Sequence, residues 1–312
     1  MTGKAPERLT ADAQGIARAA ALLRAGELVA VPTETVYGLA ARADSEAAVA
    51  AIFRAKGRPD FNPLIVHVAS LDMARALAEF DGRAEALAAR YWPGPLTLVL
   101  PARESAIVPA VTAGLATIAL RMPDHAAARR LLDTLELPLA APSANRSGGI
   151  SPTAPEHVAK SLGDGVAAIL DAGPCARGVE STIVALRADG GWQLLRPGPI
   201  AEHELAGVLG PPAILADAGI EAPGQLARHY SPGKPVRLAA SEAAADEFLI
   251  GFGAVPGDCS LAADGDLALA AARLYACLHE AAASSRPRIA VAPVPEQGIG
   301  VAINDRLRRA AA

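Results

Sequence analysis

Lys56-Gly57-Arg58-Pro59, followed by Asn62-Pro63-Leu64-Ile65-Val66-His67, puts two cations, an amide and an imidazole into one short segment that enters an apolar strand. Gly57, Pro59 and Pro63 stiffen the turn between them. Exposed charge on a stiff loop suits ligand capture better than passive connection, and the positive sign selects an anion. Other polar residues stand where apolar runs begin or end. Thr33 and Thr35 follow the run at 28–31, Arg121 closes 117–120, and Ser143 and Asn145 follow 139–141. Glu180 and Ser181 precede the run at 182–186, and Arg196 closes 192–195. Ligands of open α/β sheets collect outside strand ends, so these loops can converge. A lysine, several arginines, hydroxyls and amides together suit a phosphate chain.

Taken singly, these residues are ordinary. A lone arginine in a turn, such as Arg121 or Arg196, is usually solvated. Lys56 and Arg58 equally suit the cationic end of a helix. A histidine inside an apolar strand, as His67 is, more often completes a core than meets a ligand. Ser143 and Asn145 are common turn formers, Cys175 without a nearby histidine reads as inert, and Tyr230 beside His229 reads as packing. Their joint occurrence is what points to a site. The familiar catalytic signatures are missing: no GxxxxGKS or GxxxxGKT loop, no GxGxxG after a strand, no HExxH and no GxSxG. Gly298-Ile299-Gly300 lacks the third glycine.

Strands and helices must hold these loops. Apolar periodicity predicts helices near 11–25, 45–55, 71–79, 83–90, 124–136, 155–162 and 201–209. It predicts strands at 28–31, 64–68, 96–100, 117–120, 139–141, 167–170, 182–186 and 192–195. Thr10 is the expected cap of the first helix and Gly26 its stop. The elements intermix without strict alternation, so residues 1–206 are expected to form an α/β domain with a twisted mixed sheet. Residues 207–236 are rich in proline and glycine and read as a linker. Residues 237–312 carry a smaller βα pattern, preceded by a strand at 236–238. It has strands at 248–251 and 289–292 and helices at 241–246, 267–283 and 300–311, as in a small Rossmann-like domain.

Of the 312 residues, 52% are hydrophobic and 20% charged, so the chain can build a sizeable core. Aromatics are only 4%, which leaves alanine, leucine and valine to fill it. The net charge of −4 lacks the basic surplus of a protein that grips nucleic acid through its phosphates, so an RNA-binding module is disfavoured and any cationic site is local. Cys175, Cys259 and Cys277 are far apart and form no CxxC, which argues against structural zinc or a disulfide framework and fits a reducing cytosol. No apolar run reaches membrane-spanning length. Arg18 and Arg24 flank the patch at 19–23 and no cleavage pattern follows, so mature helix rather than a signal peptide is expected there.

The motifs taken together resemble a known family. They are Pro32-Thr33-Glu34-Thr35-Val36-Tyr37-Gly38-Leu39, the 56–67 loop, Pro93-Gly94-Pro95-Leu96-Thr97, Arg121-Met122-Pro123-Asp124-His125, Pro142-Ser143-Ala144-Asn145 with Ser147-Gly148, Gly178-Val179-Glu180-Ser181-Thr182, and Leu195-Arg196-Pro197-Gly198. Farther on stand Pro223-Gly224, His229-Tyr230-Ser231-Pro232, Gly298-Ile299-Gly300 and Asp305-Arg306-Leu307. In this order they resemble the threonylcarbamoyl-AMP synthases in their long form, with a YrdC-like catalytic domain at 1–206, a linker at 207–236 that crosses the active site, and a small C-terminal domain at 237–312. The resemblance implies a nucleotidyltransferase that joins L-threonine, bicarbonate and ATP into threonylcarbamoyl-AMP and pyrophosphate. A tRNA-modifying threonylcarbamoyl transferase complex then consumes the product.

By the same resemblance, Thr35, His67, Arg121, Ala141 (through its backbone) and Ser181 hold threonine. Arg58, Asn62, Thr117, Ser143, Asn145, Ser151, Arg196 and Tyr230 hold ATP. Lys56 and Arg58 are the implied catalytic pair, with Lys56 neutralising carbamate or phosphate. Mg2+ comes with the ATP phosphates, because the sequence shows no dense carboxylate cluster to hold it. No membrane partner and no strong direct nucleic-acid binding are expected, and the expected location is the cytoplasm. Ala40, Gln225, Leu226 and His279 depart from the family pattern. A carbamoyl-transfer domain of the hydrogenase-maturation type is the remaining alternative, but the additional units of those relatives are absent.

Overall fold

The computed structural model describes residues 5–59, 61–104, 107–213, 221–224 and 229–312. The larger unit begins with β1 (Glu7–Thr10), α1 (Ala13–Arg24), β2 (Val29–Val31), β3 (Gly38–Arg42), α2 (Glu46–Lys56) and β4 (Ile65–His67). It continues with α3 (Leu71–Leu77), α4 (Gly82–Tyr91), β5 (Leu96–Pro101), α5 (Pro109–Thr112), β6 (Thr117–Arg121), α6 (Ala126–Leu135) and β7 (Leu139–Ala140). Then come α7 (Pro155–Leu162), β8 (Ala168–Asp171), β9 (Thr182–Leu186), β10 (Trp192–Arg196) and α8 (Glu202–Leu209).

The strands form one sheet in the order β1-β8-β2-β3-β7-β4-β6-β5-β9-β10. Parallel pairs such as β4/β6 and β5/β9 alternate with antiparallel pairs such as β3/β7 and β5/β6, which makes the sheet mixed, as expected. Side chains alternate across it with a period of two residues. Ile118 and Leu120 of β6 join one buried cluster with α2, α3, α4 and α7, while Ala119 joins another with Ile65, Val99 and Ile183. Ile16, Ala19, Ala20 and Leu23 of α1 share one face at helical spacing and pack with α6 on β2 and β8. Leu23 is fully buried, so Leu23→Ala would cost roughly 2–5 kcal/mol.

The smaller unit holds β11 (Val236–Arg237), β12 (Glu247–Gly251), β13 (Cys259–Ser260), α9 (Leu267–Ala283), β14 (Arg288–Val291) and α10 (Gly300–Ala311). Its strands run in the order β11-β14-β12-β13, and every pairing is parallel. That is the geometry of βα units, whose crossover helices cover the sheet. Gln225, Leu226 and most of the proline- and glycine-rich stretch at 214–228 lie outside the described residues.

Several local expectations are corrected. Thr10 ends β1 and donates to Asp12, and Asp12 is the residue that caps α1, accepting from the Gly15 amide. A carboxylate at the N-cap also meets the positive end of the helix dipole. Strand β1 escapes a periodicity search because Leu9 alone of its four residues is buried. Strand β3, Gly-Leu-Ala-Ala-Arg, is made of poor strand formers and is held by pairing with β2 and β7. Residues 241–246 form bends and a turn rather than a helix. The Ala244 amide and Arg237 both bind Glu247, and Arg237 also binds the Glu242 carbonyl. A six-residue helix would repay its nucleation poorly against those bonds.

Candidate active site

Strand ends assemble the pocket. β4 and β6 are parallel neighbours, and their last residues, His67 and Arg121, are register partners. The Ala141 amide donates to the Ile65 carbonyl, and Gly38 pairs with Ser143, so the 141–145 loop sits at the same edge. β9 and β10 bring Glu180 and Arg196 from the other side. His229 and Tyr230 complete the lining together with Pro223 and Gly224. Gly224 has φ +91°, and a Cβ there would stand 2.9 Å from Arg196 Cδ, so glycine is required by both conformation and space.

Local capping explains how the cations turn inward. Helix α2 starts on Ser45 and ends at Gly57 in the left-handed region. The reversal leaves Lys56 buried beneath the 143–145 loop, where Nζ donates to the carbonyls of Ser143 and Asn145 at 2.5 and 2.6 Å. Arg58 folds back, and its guanidinium donates to the carbonyls of Asn62 and Pro63. Arg196 donates Nε to the Ser181 carbonyl and Nη2 to the Ser181 hydroxyl, both at 3.0 Å. Ser181 is tied in turn to Thr97 at 2.7 Å. Burial, and then the neighbouring Arg58, pushes the Lys56 ammonium well below its usual range. Burial, and then Arg196, lowers Arg58 to about 10. Among the described residues no carboxylate forms an ion pair with Lys56, Arg58 or Arg196.

Two carboxylates flank these cations. Glu34 binds Arg121 at 2.6 Å and accepts from the Asp124 amide. Glu180 accepts from Ser151, Tyr275 and Arg306. Burial acts to raise its carboxyl, but Arg306 and Arg196 outweigh that and hold it down at about 2. His67 is fully buried; desolvation, aided by Arg121, lowers it to about 3, so the ring is neutral at physiological pH. Three buried polar atoms around the site, Asn62 Oδ1, Asn145 Oδ1 and His229 Nδ1, have no hydrogen-bond partner among the described residues. Buried polar atoms without partners are uncommon in folded chains and call for an explanation.

The pocket gathers Arg58, His67, Arg121, Ala141, Ser143, Arg196 and Tyr230 from the sequence-derived set. Arg121 and Arg196 are buried, and neither is the solvated turn residue that each suggests alone. His67 faces the pocket from the strand end rather than filling the core. Thr35 is buried behind the lining, bonded to Thr33, which is part of it. Ser181 touches the site through Arg196, and Ser151 through Glu180. Asn62 and Asn145 are buried one layer out. Thr117 starts β6, roughly 13 Å along the strand from Arg121 but on the same face by strand alternation. Lys56 Nζ is held by the carbonyls of Ser143 and Asn145, so it braces the loop that carries Ser143. Glu34, Glu180 and His229 line or brace the pocket; Glu180 stood among the polar residues at strand ends without a role, and Glu34 and His229 were passed over as functional groups. Glu34 and Glu180 did stand inside recognisable motifs. Nothing in the sequence told which carboxylates would be buried.

A family model described as telomere recombination matches residues 21–198, and one described as the threonylcarbamoyl-AMP synthase C-terminal domain matches residues 200–312. The chain belongs to the threonylcarbamoyl-AMP synthase family. A Bacillus subtilis threonylcarbamoyl-AMP synthase is 40% identical over 98% of this chain and 95% of its own. One from Pyrococcus abyssi is 42% identical over 94% and 92%. The fold agrees with a solved structure of P. abyssi Sua5 complexed with L-threonine, with a TM-score of 0.89 and 37% identity over 99% of this chain and 98% of that one. An Escherichia coli YciO structure shares the fold over part of the chain, with a TM-score of 0.52 and 20% identity over 61% of this chain and 93% of that one. The long, two-domain form of the family therefore applies to this synthase-family chain, and with it the α/β architecture of both units.

Proposed function

We propose that the chain condenses L-threonine, bicarbonate and ATP into threonylcarbamoyl-AMP, pyrophosphate and water. The observation that carries this reading is a pair of buried guanidiniums, Arg58 and Arg196, with no carboxylate ion pair among the described residues, beside a neutral His67 and an Arg121 already balanced by Glu34. The first half suits polyphosphate; the second suits a small amino acid that carries both charges.

The neutral threonine amine attacks the carbon of bicarbonate, which expels an oxygen as water, or of carbon dioxide formed from bicarbonate by the same loss of water; the nitrogen gives up a proton and a carbamate results. A carbamate oxygen then attacks the α-phosphorus, and the bond to pyrophosphate breaks. Thr35, His67, Arg121, Ala141 and Ser181 hold threonine in this reading. Arg58, Asn62, Thr117, Ser143, Asn145, Ser151, Arg196 and Tyr230 surround ATP. Arg58 and Arg196 offset charge on the phosphates, and Lys56 keeps the Ser143 loop in place. Positioning and electrostatics supply the acceleration, so no covalent nucleophile is needed. Burial raises the Cys175 thiol to about 12, which leaves it protonated and unreactive.

Mg2+ enters as part of the ATP substrate. Glu34 and Glu180 are engaged by arginines and form no carboxylate cage, so the ion would be held by the ATP phosphate oxygens and water. The product is an activated acyl group, which a tRNA-modifying threonylcarbamoyl transferase complex in the cytoplasm would consume. No described helix is long and apolar enough to cross a membrane.

The test is product analysis after incubation with ATP, Mg2+, bicarbonate and each amino acid in turn. Pyrophosphate release that needs both threonine and bicarbonate, with a new adenylate by mass spectrometry, is the expected result. Arg58→Ala lowers that rate at least tenfold. Release that is indifferent to the amino acid sinks the reading.

A further inference from the structure

Glu180 is the point where the smaller domain reaches the pocket. Its carboxylate lines the cavity, yet both oxygens are already taken. Oε1 accepts from Ser151 at 2.6 Å and from the Tyr275 hydroxyl at 3.0 Å; Oε2 accepts from Tyr275 at 2.9 Å and from Arg306 Nε at 3.0 Å. Tyr275 lies on α9 and Arg306 on α10, and both are fully buried. The Arg306 guanidinium is further fixed by the Pro197 carbonyl at 2.7 Å and lies 5.6 Å from the centroid of the Tyr230 ring. Tyr230 also packs on Tyr275, with ring centroids 5.5 Å apart. The backbone beside Glu180 is clamped as well. Gly178 has φ +70°, and a Cβ there would stand 2.3 Å from the Ala271 carbonyl oxygen of α9.

Arg196 lines the same cavity as Glu180, is anchored through the adjoining Ser181, and its charge acts on the Glu180 carboxylate. A buried carboxylate without its own cation would turn to the nearest one, since an isolated charge in that setting is costly. An arginine captured in this way cannot also serve a phosphate. We propose that Arg306 and Tyr275 are positioning residues for the ATP-binding half of the site: by occupying both oxygens of Glu180 they keep it off Arg196 and leave that guanidinium to the nucleotide. The smaller domain thus completes the electrostatics of a pocket whose reacting groups all come from elsewhere. This rests on the functional reading above for the identity of the nucleotide.

The test uses the full chain and its Arg306→Met, Arg306→Lys, Tyr275→Phe, Glu180→Gln and Arg306→Met/Glu180→Gln variants. The Michaelis constants for ATP and threonine come from pyrophosphate release, and ATP affinity without threonine comes from calorimetry. Arg306→Met is expected to weaken ATP at least tenfold and to change the threonine constant less than threefold. Tyr275→Phe and Arg306→Lys weaken ATP about threefold. Adding Glu180→Gln to Arg306→Met restores most of the loss, because the competing carboxylate is gone; damage to packing alone would not be repaired this way. Should Arg306→Met fail to fold by circular dichroism, Tyr275→Phe and Arg306→Lys decide the question. Unchanged ATP affinity in those two, equal weakening of both substrates, or no rescue by Glu180→Gln overturns the proposal. A wild type without threonine-dependent turnover would overturn the functional reading instead, and calorimetry would still decide the role of Arg306.

Discussion

Two buried glutamate–arginine pairs flank the pocket, and they are anchored in different ways. Glu34–Arg121 closes within the large sheet: the turn after β2 meets the end of β6 at 2.6 Å. Glu180–Arg306 joins the two domains at 3.0 Å. The first pair is made within the sheet that holds His67, so it forms whenever that sheet forms. The second exists only when α9 and α10 are seated. One side of the site is therefore built locally, while the other depends on a docking event. Desolvation makes both pairs costly to break by removing one partner.

The largest expected effect is on the local pair. Arg121→Met leaves Glu34 buried without its cation and is expected to destabilise the chain by roughly 3–5 kcal/mol in thermal unfolding. Threonine-dependent pyrophosphate release falls at least a hundredfold. Adding Glu34→Gln is expected to recover much of the stability and none of the activity. Recovery of activity would mean that Arg121 serves only the fold.

A smaller effect is expected at the junction. In Gly178→Ala, the methyl meets the backbone of α9 in a left-handed conformation, so the domains separate slightly. ATP affinity is expected to fall about fivefold, following Arg306→Met in direction, with threonine affinity nearly unchanged. Equal losses for both substrates would erase the contrast between the two pairs.

The smallest effect is in pH dependence. Burial lowers His67 and His229 to about 3 and His279 to about 4. An unfolded chain takes up protons on these rings below about 6.5 while the folded chain does not, so stability is lost as pH falls from about 6.5 toward 3. Glu180, held at about 2 against an ordinary 4.5, adds a loss of the same sign at lower pH, between those two values. The melting temperature is expected to drop between pH 7 and pH 4, and His67→Gln is expected to flatten the drop. A parallel curve for His67→Gln would show that the imidazole is not buried neutral.

The elements that periodicity could see were those with an apolar face to show. Helix α1 is legible because Ile16, Ala20 and Leu23 share a face, and β9 because an unbroken apolar run is the mark of a strand buried on both sides. β1 and β3 were not legible, one for lack of apolar residues and the other for lack of strand formers. Both are held by neighbours distant in sequence. In the site, the 56–67 loop was legible as a cationic trap because its charges are adjacent in the chain. What each charge does was not. Lys56 binds the loop carbonyls, and its partners, Ser143 and Asn145, lie 87 and 89 residues away.

The sequence by itself determined the chemistry on offer: an anion-binding set at strand ends, and motifs in an order that names a family. Only the tertiary structure decided which charges are buried and which partner each one takes. Sequence lists charges without their dielectric surroundings, and the strength of a charge–charge contact depends on that burial as much as on identity. For that reason Glu34 and Glu180 look alike in the chain, yet one is satisfied within its own sheet and the other by Arg306, 126 residues onward in the second domain.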